Sequence, residues 1–548
     1  MNRMIPSAHV DRFARDNLPP KSQWPEFRFD LPELRYPKRM NCARVLLDDM
    51  VAAGHAGRIA LRSYDGQCTY FQLLGQANRI ANVLVREMGL VPGNRVLLRG
   101  LNEPMTAVCM LAVMKAGGIC VGTMPMLRAK ELTDIVTKAQ VSHALCDKRL
   151  AAELEAARPG CPTLKTVRYW YDDGPGSLDA LALRQSAEFA SVDTAADDVA
   201  LIAFTSGTTG KPKGTMHFHR DVIAMCDCFP RSCLKPGPDD IFVGTPPLAF
   251  TFGLGGLLCF PLRFGASTVL LEKLTPEALL EAARRFKATI LITAPIMYRA
   301  MATLLKDGGA KHDIRSVAKC VSAGEALPDA TRQIFKQASG IEIIDGIGST
   351  EMIHIFISHE PTRAKRGATG YALPGYTATV LDENGKPCAP GKIGRLAVKG
   401  PTGCRYLADE RQKDYVQNGW NVTGDAYVLD EEGYFHYQAR TDDMIISAGY
   451  NIAGPEVEGA LLAHPAVAEC GVVGWPDEER GTIVKAFVVV KAGNERGAAL
   501  AAELQEHVKR NIAPYKYPRA IEFVNALPRT ETGKLQRFRL KQATGARP

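Results

Sequence analysis

TSGTTGKPKG, residues 205–214, follows directly on the apolar run VALIAF at 199–204. A run of that length and composition reads as a buried strand. The chain leaves it into a loop of hydroxyls, glycines and two lysines. Glycines let successive backbone N–H groups turn toward an anion. Thr205, Ser206, Thr208 and Thr209 add hydroxyl donors, and Lys211 and Lys213 add charge. The stretch therefore reads as a phosphate site at the carboxyl end of a strand. It is not a Walker A loop. Neither Gly210-Lys211 nor Gly533-Lys534 carries the earlier glycine and the following Ser or Thr.

Working outward, the same theme recurs. RVLLRG (95–100), VSHALCD (141–147), ATILITA (288–294) and AKCVSAG (318–324) each run an apolar strand into a polar or small-residue loop. NEPMTAVCMLAVMKAGG (102–118) reads as a helix that ends in glycines. Strand–helix alternation predicts an α/β fold of parallel sheets covered by helices, with ligands at the strands' carboxyl ends. The pattern changes near 440. GYFHYQARTDDMIISAGYNIAGPEVEGAL reads as a hairpin, a charged turn and a helix start, and strands and a helix around 498–511 follow. The expected organisation is a large domain over 1–440 and a small α+β domain over 441–548.

Composition narrows the function. The chain has 548 residues, 46% hydrophobic and 23% charged, with a net charge of +8 and no long basic run. That excludes an electrostatic nucleic-acid binder and fits a protein that handles anionic small molecules. The N-terminus has no apolar leader core, so a cytoplasmic protein with reduced thiols is expected. Apolar stretches at 106–127 and 248–271 are broken by Lys115, and by glycines, Pro261 and Arg263. They read as core, with no membrane partner. Cys226, Cys228 and Cys233, near His217 and His219, match no zinc spacing.

Four further segments extend the reading of the loop. TSGTTGKPKG resembles the signature loop of the acyl-adenylate-forming superfamily of acyl-CoA synthetases, peptide-synthetase adenylation domains and luciferases. DGIGSTE (345–351), TGD (423–425), ARTDDMIISAG (439–449) and PRTETGK (528–534) resemble that family's other motifs, in the family's order. The resemblance implies a carboxylate attacking the α-phosphorus of ATP, then a thiol displacing AMP. ATP, Mg²⁺ and coenzyme A are the implied cofactor and co-substrates.

Carried over residue by residue, the resemblance implies that Thr205, Ser206, Gly207, Thr208, Thr209, Gly210 and Lys213 hold the β- and γ-phosphates. Gly324, Glu325, Ala326, Asp345, Gly346 and Ile347 would bind the nucleotide, and Thr350 would donate to the α-phosphate. Glu351 would carry the metal, while Asp425 and Arg440 would hold the ribose. Lys534 would bridge the acid and the α-phosphate, Asp442 would be the hinge, and Ser447, Gly449 and Tyr450 would line the coenzyme A channel. Lys516 and Arg519 either meet coenzyme A or form a solvated face.

PLAFTFGLG (247–255), SAGEALP (322–328) and GIGSTEMIHIF (346–356) look like the benzoate-CoA ligase group, and the N-terminal stretch looks like 2-aminobenzoate-CoA ligases. The implied aryl pocket is Phe250, Phe252, Ala323, Gly348, His354 and Ile355. The phenylalanines could equally be plain core, and His354 either an ordinary satisfied histidine or a contact to an ortho substituent. Rival readings are a medium-chain acyl-CoA synthetase, an aryl-adenylating enzyme loading a carrier protein, and an ADP-forming kinase or ATPase. A monomer or homodimer is expected.

Overall fold

The apolar runs become strands of two mainly parallel sheets. In this computed structural model, residues 5–205, 212–308, 312–447, 450–477, 481–512, 514–530 and 534–542 are described. The first sheet has six strands in the order Thr166–Trp170, His143–Asp147, Arg95–Arg99, Ile119–Thr123, Val199–Thr205 and Lys213–Phe218. All neighbours are parallel except the last pair. The second sheet has nine strands. Its parallel interior runs Ile343–Gly348, Lys319–Ser322, Ile290–Thr293, Ile241–Gly244, Ser267–Val269 and Ile59–Ser63, with antiparallel strands at both edges. Every residue of Arg95–Arg99 and His143–Asp147 is buried. Burial on both faces is why these strands read as continuous apolar runs and not as alternation.

The opening stretch departs from strand–helix alternation. Thr205 and Lys213 face each other across an antiparallel pair, so the loop closes a hairpin. No helix start follows it.

The helix Pro104–Lys115 fills the space between sheets and is buried on nearly every side. Lys115, which breaks the apolar run in sequence, is itself fully buried. Its ammonium donates to Asp48 Oδ1 at 2.6 Å and to Ser191 Oγ at 3.0 Å. The second apolar stretch folds as short helical turns, Leu254–Cys259 and Phe260–Arg263, inside the same core. No helix among the described residues is long and apolar enough to cross a membrane.

An antiparallel sheet built on Thr377–Leu381, Ile393–Lys399, Trp420–Leu429 and Phe435–Arg440 leads to the last part of the chain. There Val467–Asp477 and Gly481–Val490 form a hairpin, and Ala520–Phe523 joins it in parallel. The helices Gly454–Leu462 and Ala498–Asn511 cover this sheet around Val457, Leu461, Val472, Val488, Leu504 and Val508. The α/β class read from the sequence, a large parallel-sheet region with a smaller α+β unit, is the observed architecture.

The Lys115 pair yields a stability prediction. Removing one partner of a buried ion pair leaves an uncompensated charge and costs roughly 3–5 kcal/mol. Asp48→Ala should lower the urea midpoint accordingly, while Asp48→Ala with Lys115→Met should recover most of the loss. Equal midpoints for Asp48→Ala and the unaltered chain would refute the assignment.

Candidate functional site

Thr205 ends one strand of the hairpin and Lys213 begins the other. Ser206, Gly207, Thr208, Thr209 and Gly210 lie outside the described residues. A third segment adds to this hairpin: Thr215 bridges Tyr406, Met216 N–H donates to Arg405 O at 2.8 Å, and Leu407 N–H to Gly214 O at 2.8 Å. The Lys213 ammonium lies 5.2 Å from the centroid of the Tyr406 ring.

Facing it is the turn between Ile343–Gly348 and Ile355–Ser358. Four consecutive residues there are each tied by a different side chain. Ser349 Oγ meets Tyr415 Oη at 3.1 Å, and Thr350 O accepts from His217 Nε2 at 2.8 Å. Glu351 Oε1 accepts from Tyr406 Oη at 2.5 Å, and Met352 O from Thr402 Oγ1 at 2.9 Å. Ile353 then adopts φ +66°, a conformation that costs a β-branched residue energy. The ties hold that strained turn. Gly348 is demanded by the chain itself, since a Cβ there would come within 2.6 Å of the His354 carbonyl oxygen.

The nucleotide-binding candidates lie around this turn. Asp425 pairs across the sheet with Arg440, Nη1 to Oδ1 at 3.2 Å. Burial raises the Asp425 carboxyl, Arg440 opposes that most, and Lys534 also opposes it. Lys534 itself is exposed. It also bears on Glu325, whose carboxyl burial raises, after Arg529 as the larger opposing charge. Gly324 and Ala326, on either side of Glu325, are exposed. The chain from Asp345 to Ile347 forms the strand leading to the turn: Gly346 is buried against Ile355, and Ile347 is half-buried against the core. Asp345 is buried with Oδ1 unpartnered among the described residues. Burial pushes its carboxyl up to about 7, against the Arg332 charge and the Gly346 N–H.

Of the pocket candidates, His354 is the most unusual. It is 3% exposed, and neither ring nitrogen has a partner in hydrogen-bonding geometry among the described residues; the Phe252 backbone offers only a weaker contact. The ring sits among Phe260 at 4.5 Å, Phe252 at 5.7 Å and Phe229 at 5.9 Å between centroids. Burial lowers its pKa to about 3, so the imidazole is neutral. Gly255 makes room for it: a Cβ there would lie 2.4 Å from His354 Cδ2. Ala323 and Ile355 are buried beside the same core, whereas Phe250 only caps the helical turn Thr251–Gly253 and joins none of these ring contacts.

In the small unit, Asp442 lies in the turn Thr441–Asp443, which connects Phe435–Arg440 to the hairpin Ile445–Ser447 and Tyr450–Ile452. Ser447 is buried; Gly449 lies outside the described residues, and Tyr450 is placed as backbone in that hairpin. Lys516 is paired with Glu456 at 2.6 Å and Arg519 donates to Tyr517 Oη at 2.7 Å.

Sequence reasoning missed the residues behind the turn. His217, weighed only as a metal ligand, instead holds the Thr350 carbonyl. Burial and the nearby Arg405 lower its pKa to about 3. Arg405 is fully buried and paired with the equally buried Asp221. Tyr406 gave no signal, since its partner Glu351 is 55 residues away in sequence. Among the described residues no three His, Cys, Asp or Glu side chains converge as a metal cage. A single carboxylate, Glu351, beside the Lys213 hairpin would suit a magnesium ion that arrived with phosphate oxygens.

The AMP-binding enzyme family matches residues 49–406, and the C-terminal domain of AMP-binding enzymes matches residues 456–534. The benzoate–CoA ligase of Thauera aromatica is 36% identical over 519 residues, 93% of this chain and 98% of that protein. The crystal structure of the anthranilate CoA ligase AuaEII in complex with anthranoyl-AMP is similar with TM-score 0.89 and 33% identity, over 94% of this chain and 99% of that one. The mitochondrial acyl-coenzyme A synthetase ACSM3 of Mus musculus is 31% identical over 543 residues, 94% of this chain and 92% of that protein. The chain belongs to the AMP-binding enzyme family.

Asp345 provides a test that needs no ligand. Its folded-state pKa, about 7, lies above the ordinary 3.8, so folding favours the protonated form. That stabilisation is complete below the unfolded value and is lost as pH rises through about 7. Asp345→Asn should therefore be more stable than the unaltered chain at pH 8, with the gap narrowing toward pH 5 in paired urea titrations. A gap that does not change with pH would reject the shift.

Proposed function

We propose that the protein activates an aryl carboxylic acid and transfers it to coenzyme A. As a member of its family it is an AMP-forming acid–thiol ligase. In the first half-reaction the acid's carboxylate attacks the α-phosphorus and pyrophosphate leaves. In the second, the thiol attacks the acyl carbon and AMP leaves. The observation that supports this reading best is one of charge. The Lys213 ammonium and the Glu351 carboxylate both meet Tyr406 beside the turn, which puts a cation and a metal-capable carboxylate where negative charge would build up. Lys213 would face the departing pyrophosphate, and Lys534 would offset the repulsion between carboxylate and phosphate. Magnesium held by Glu351 would neutralise phosphate oxygens. Thr350 and the Asp425–Arg440 pair would fix the nucleotide. The hinge at Asp442 would then let Lys534 leave and the 447–450 hairpin approach.

An aryl acid is favoured by the similarity to a benzoate–CoA ligase and an anthranilate CoA ligase, with half-buried Phe252 beside His354 as the ring that would flank it. Aromatic edges and faces select flat rings by offset and edge-on packing. Within that class 2-aminobenzoate is preferred over benzoate. A neutral, buried imidazole with unpartnered nitrogens can accept from an ortho amino group, and meeting such a buried polar atom discriminates strongly. The similarity to an anthranilate CoA ligase supports the same choice.

Acid-dependent ATP cleavage tests both levels. Benzoate, 2-aminobenzoate and octanoate would be compared, with and without coenzyme A, separating AMP, ADP and pyrophosphate. AMP and pyrophosphate formation should need an aryl acid, and Lys534→Ala should lose acyl-AMP formation by at least ~10³-fold while retaining thioester formation from supplied acyl-AMP. ADP as product, or octanoate as the fastest acid, would contradict the proposal. His354→Phe should cut kcat/KM for 2-aminobenzoate by ~10-fold or more and leave benzoate within about threefold. A parallel loss for both acids would assign His354 to packing alone.

A further inference from the structure

We propose that Tyr406 is a positioning residue of the phosphate site, holding the Lys213 ammonium and the Glu351 carboxylate on two parts of one side chain. The inference rests on the reading of Glu351 as the metal-bearing carboxylate.

Tyr406 is 1% exposed. Its hydroxyl donates to Glu351 Oε1 at 2.5 Å, and its ring lies under Lys213 Nζ at 5.2 Å. These two contacts reinforce each other. A phenol that donates to an anion gains electron density in its ring, which strengthens its attraction for a cation on the ring face.

The arrangement is also built from behind. Gln412, 1% exposed, accepts from Tyr406 N–H at 2.8 Å and donates to Cys404 O at 3.1 Å and Gln23 O at 2.8 Å. Tyr415 packs edge-on against the Tyr406 ring at 5.9 Å and reaches Ser349 on the same turn as Glu351. The segment around Tyr406 is bonded to the strand that carries Lys213. The phenol therefore has one place to be.

The consequence is chemical. Lys213 and Glu351, both only half-buried and both meeting Tyr406, carry opposite charges that direct pairing would neutralise, and neither would then serve an incoming triphosphate. Tyr406 occupies one Glu351 oxygen and leaves the other as the one a cation would take. It parks the ammonium on a ring face, a weaker partner that phosphate oxygens can displace. The tyrosine touches neither reacting atom; it acts through Glu351 and Lys213.

The test is ATP binding by isothermal titration calorimetry, without acid or coenzyme A, in EDTA and in Mg²⁺. The variants are Tyr406→Phe, Glu351→Gln and the two combined, with folding checked by circular dichroism. Tyr406→Phe should bind metal-free ATP slightly more weakly than the unaltered enzyme, and its gain in affinity from Mg²⁺ should shrink by about 5–10-fold. Adding it to Glu351→Gln should change the gain no further. Tyr406→Leu, which also removes the ring, should weaken metal-free binding as well. If Tyr406→Phe gains as much from Mg²⁺ as the unaltered enzyme, or if its effect adds in full to that of Glu351→Gln, the role of Tyr406 is overturned. If the unaltered enzyme gains nothing from Mg²⁺, the Glu351 reading falls and this inference with it.

Discussion

A guanidinium with no exposed surface, Arg405, paired with an equally buried carboxylate, Asp221, stands directly behind the hairpin of Val199–Thr205 and Lys213–Phe218. Burial pushes the Asp221 carboxyl up and the Arg405 guanidinium down, so the two charges persist only by facing each other. Such a pair contributes little net stability compared with apolar packing, but breaking it is severe. It acts as a geometric constraint. Asp221 Oδ2 also accepts from Phe218 N–H at 2.9 Å, which fixes the end of the hairpin strand. Arg405 Nε donates to Met216 O at 3.2 Å, which fixes the middle of that strand. The rings of Phe218, Phe27 and Trp24 close over the guanidinium at 3.9, 4.9 and 6.0 Å, so the N-terminal segment is part of the same clamp.

From that clamp the order spreads to the turn. Arg405 and Tyr406 are adjacent, one anchored in the interior and the other reaching Glu351. His217 lies on the clamped strand and holds Thr350. The turn's strained Ile353 is thereby supported by side chains from elements far apart in sequence, and local strain is maintained by tertiary contacts. A turn determined in this way holds Thr350 and Glu351 in place, the preorganisation that the proposed catalysis would require.

These features differ in how far they could be read from the chain alone. The strands were legible because burial on both faces leaves a run of four to seven apolar residues, as in Val199–Thr205. The motif segments were legible because glycines and hydroxyls at fixed spacing have few other uses. The hairpin was not, since nothing in 205–214 says whether a helix or a strand follows. Lys115 read as a break in an apolar run; its partner Asp48 lies 67 residues away, and no periodicity connects them. His217 and Tyr406 were invisible for the same reason, because a positioning residue has no motif of its own. His354 was half legible. The resemblance singled it out as a pocket candidate, but its isolation among Phe229, Phe252 and Phe260 comes from segments distant in sequence.

The same comparison of forces indicates where the molecule would yield. The contacts between the small unit and the large region differ in kind from the Arg405 clamp. Arg299 donates to the carbonyls of Leu462 and Val467 at 3.3 and 3.2 Å, and Arg529 stands 3.8 Å from Glu325 with both side chains partly exposed. Ion pairs of that exposure are worth up to about 1 kcal/mol, and two long hydrogen bonds add about 1 kcal/mol each. Polar contacts of that strength can be exchanged for others of similar worth, whereas the Arg405–Asp221 interior cannot. An enzyme whose two half-reactions need Lys534 first present and then withdrawn would require that inequality. On the proposed function, the hairpin of Lys213 and the turn of Glu351 would stay fixed while the polar contacts of Arg299 and Arg529 to the other unit would exchange.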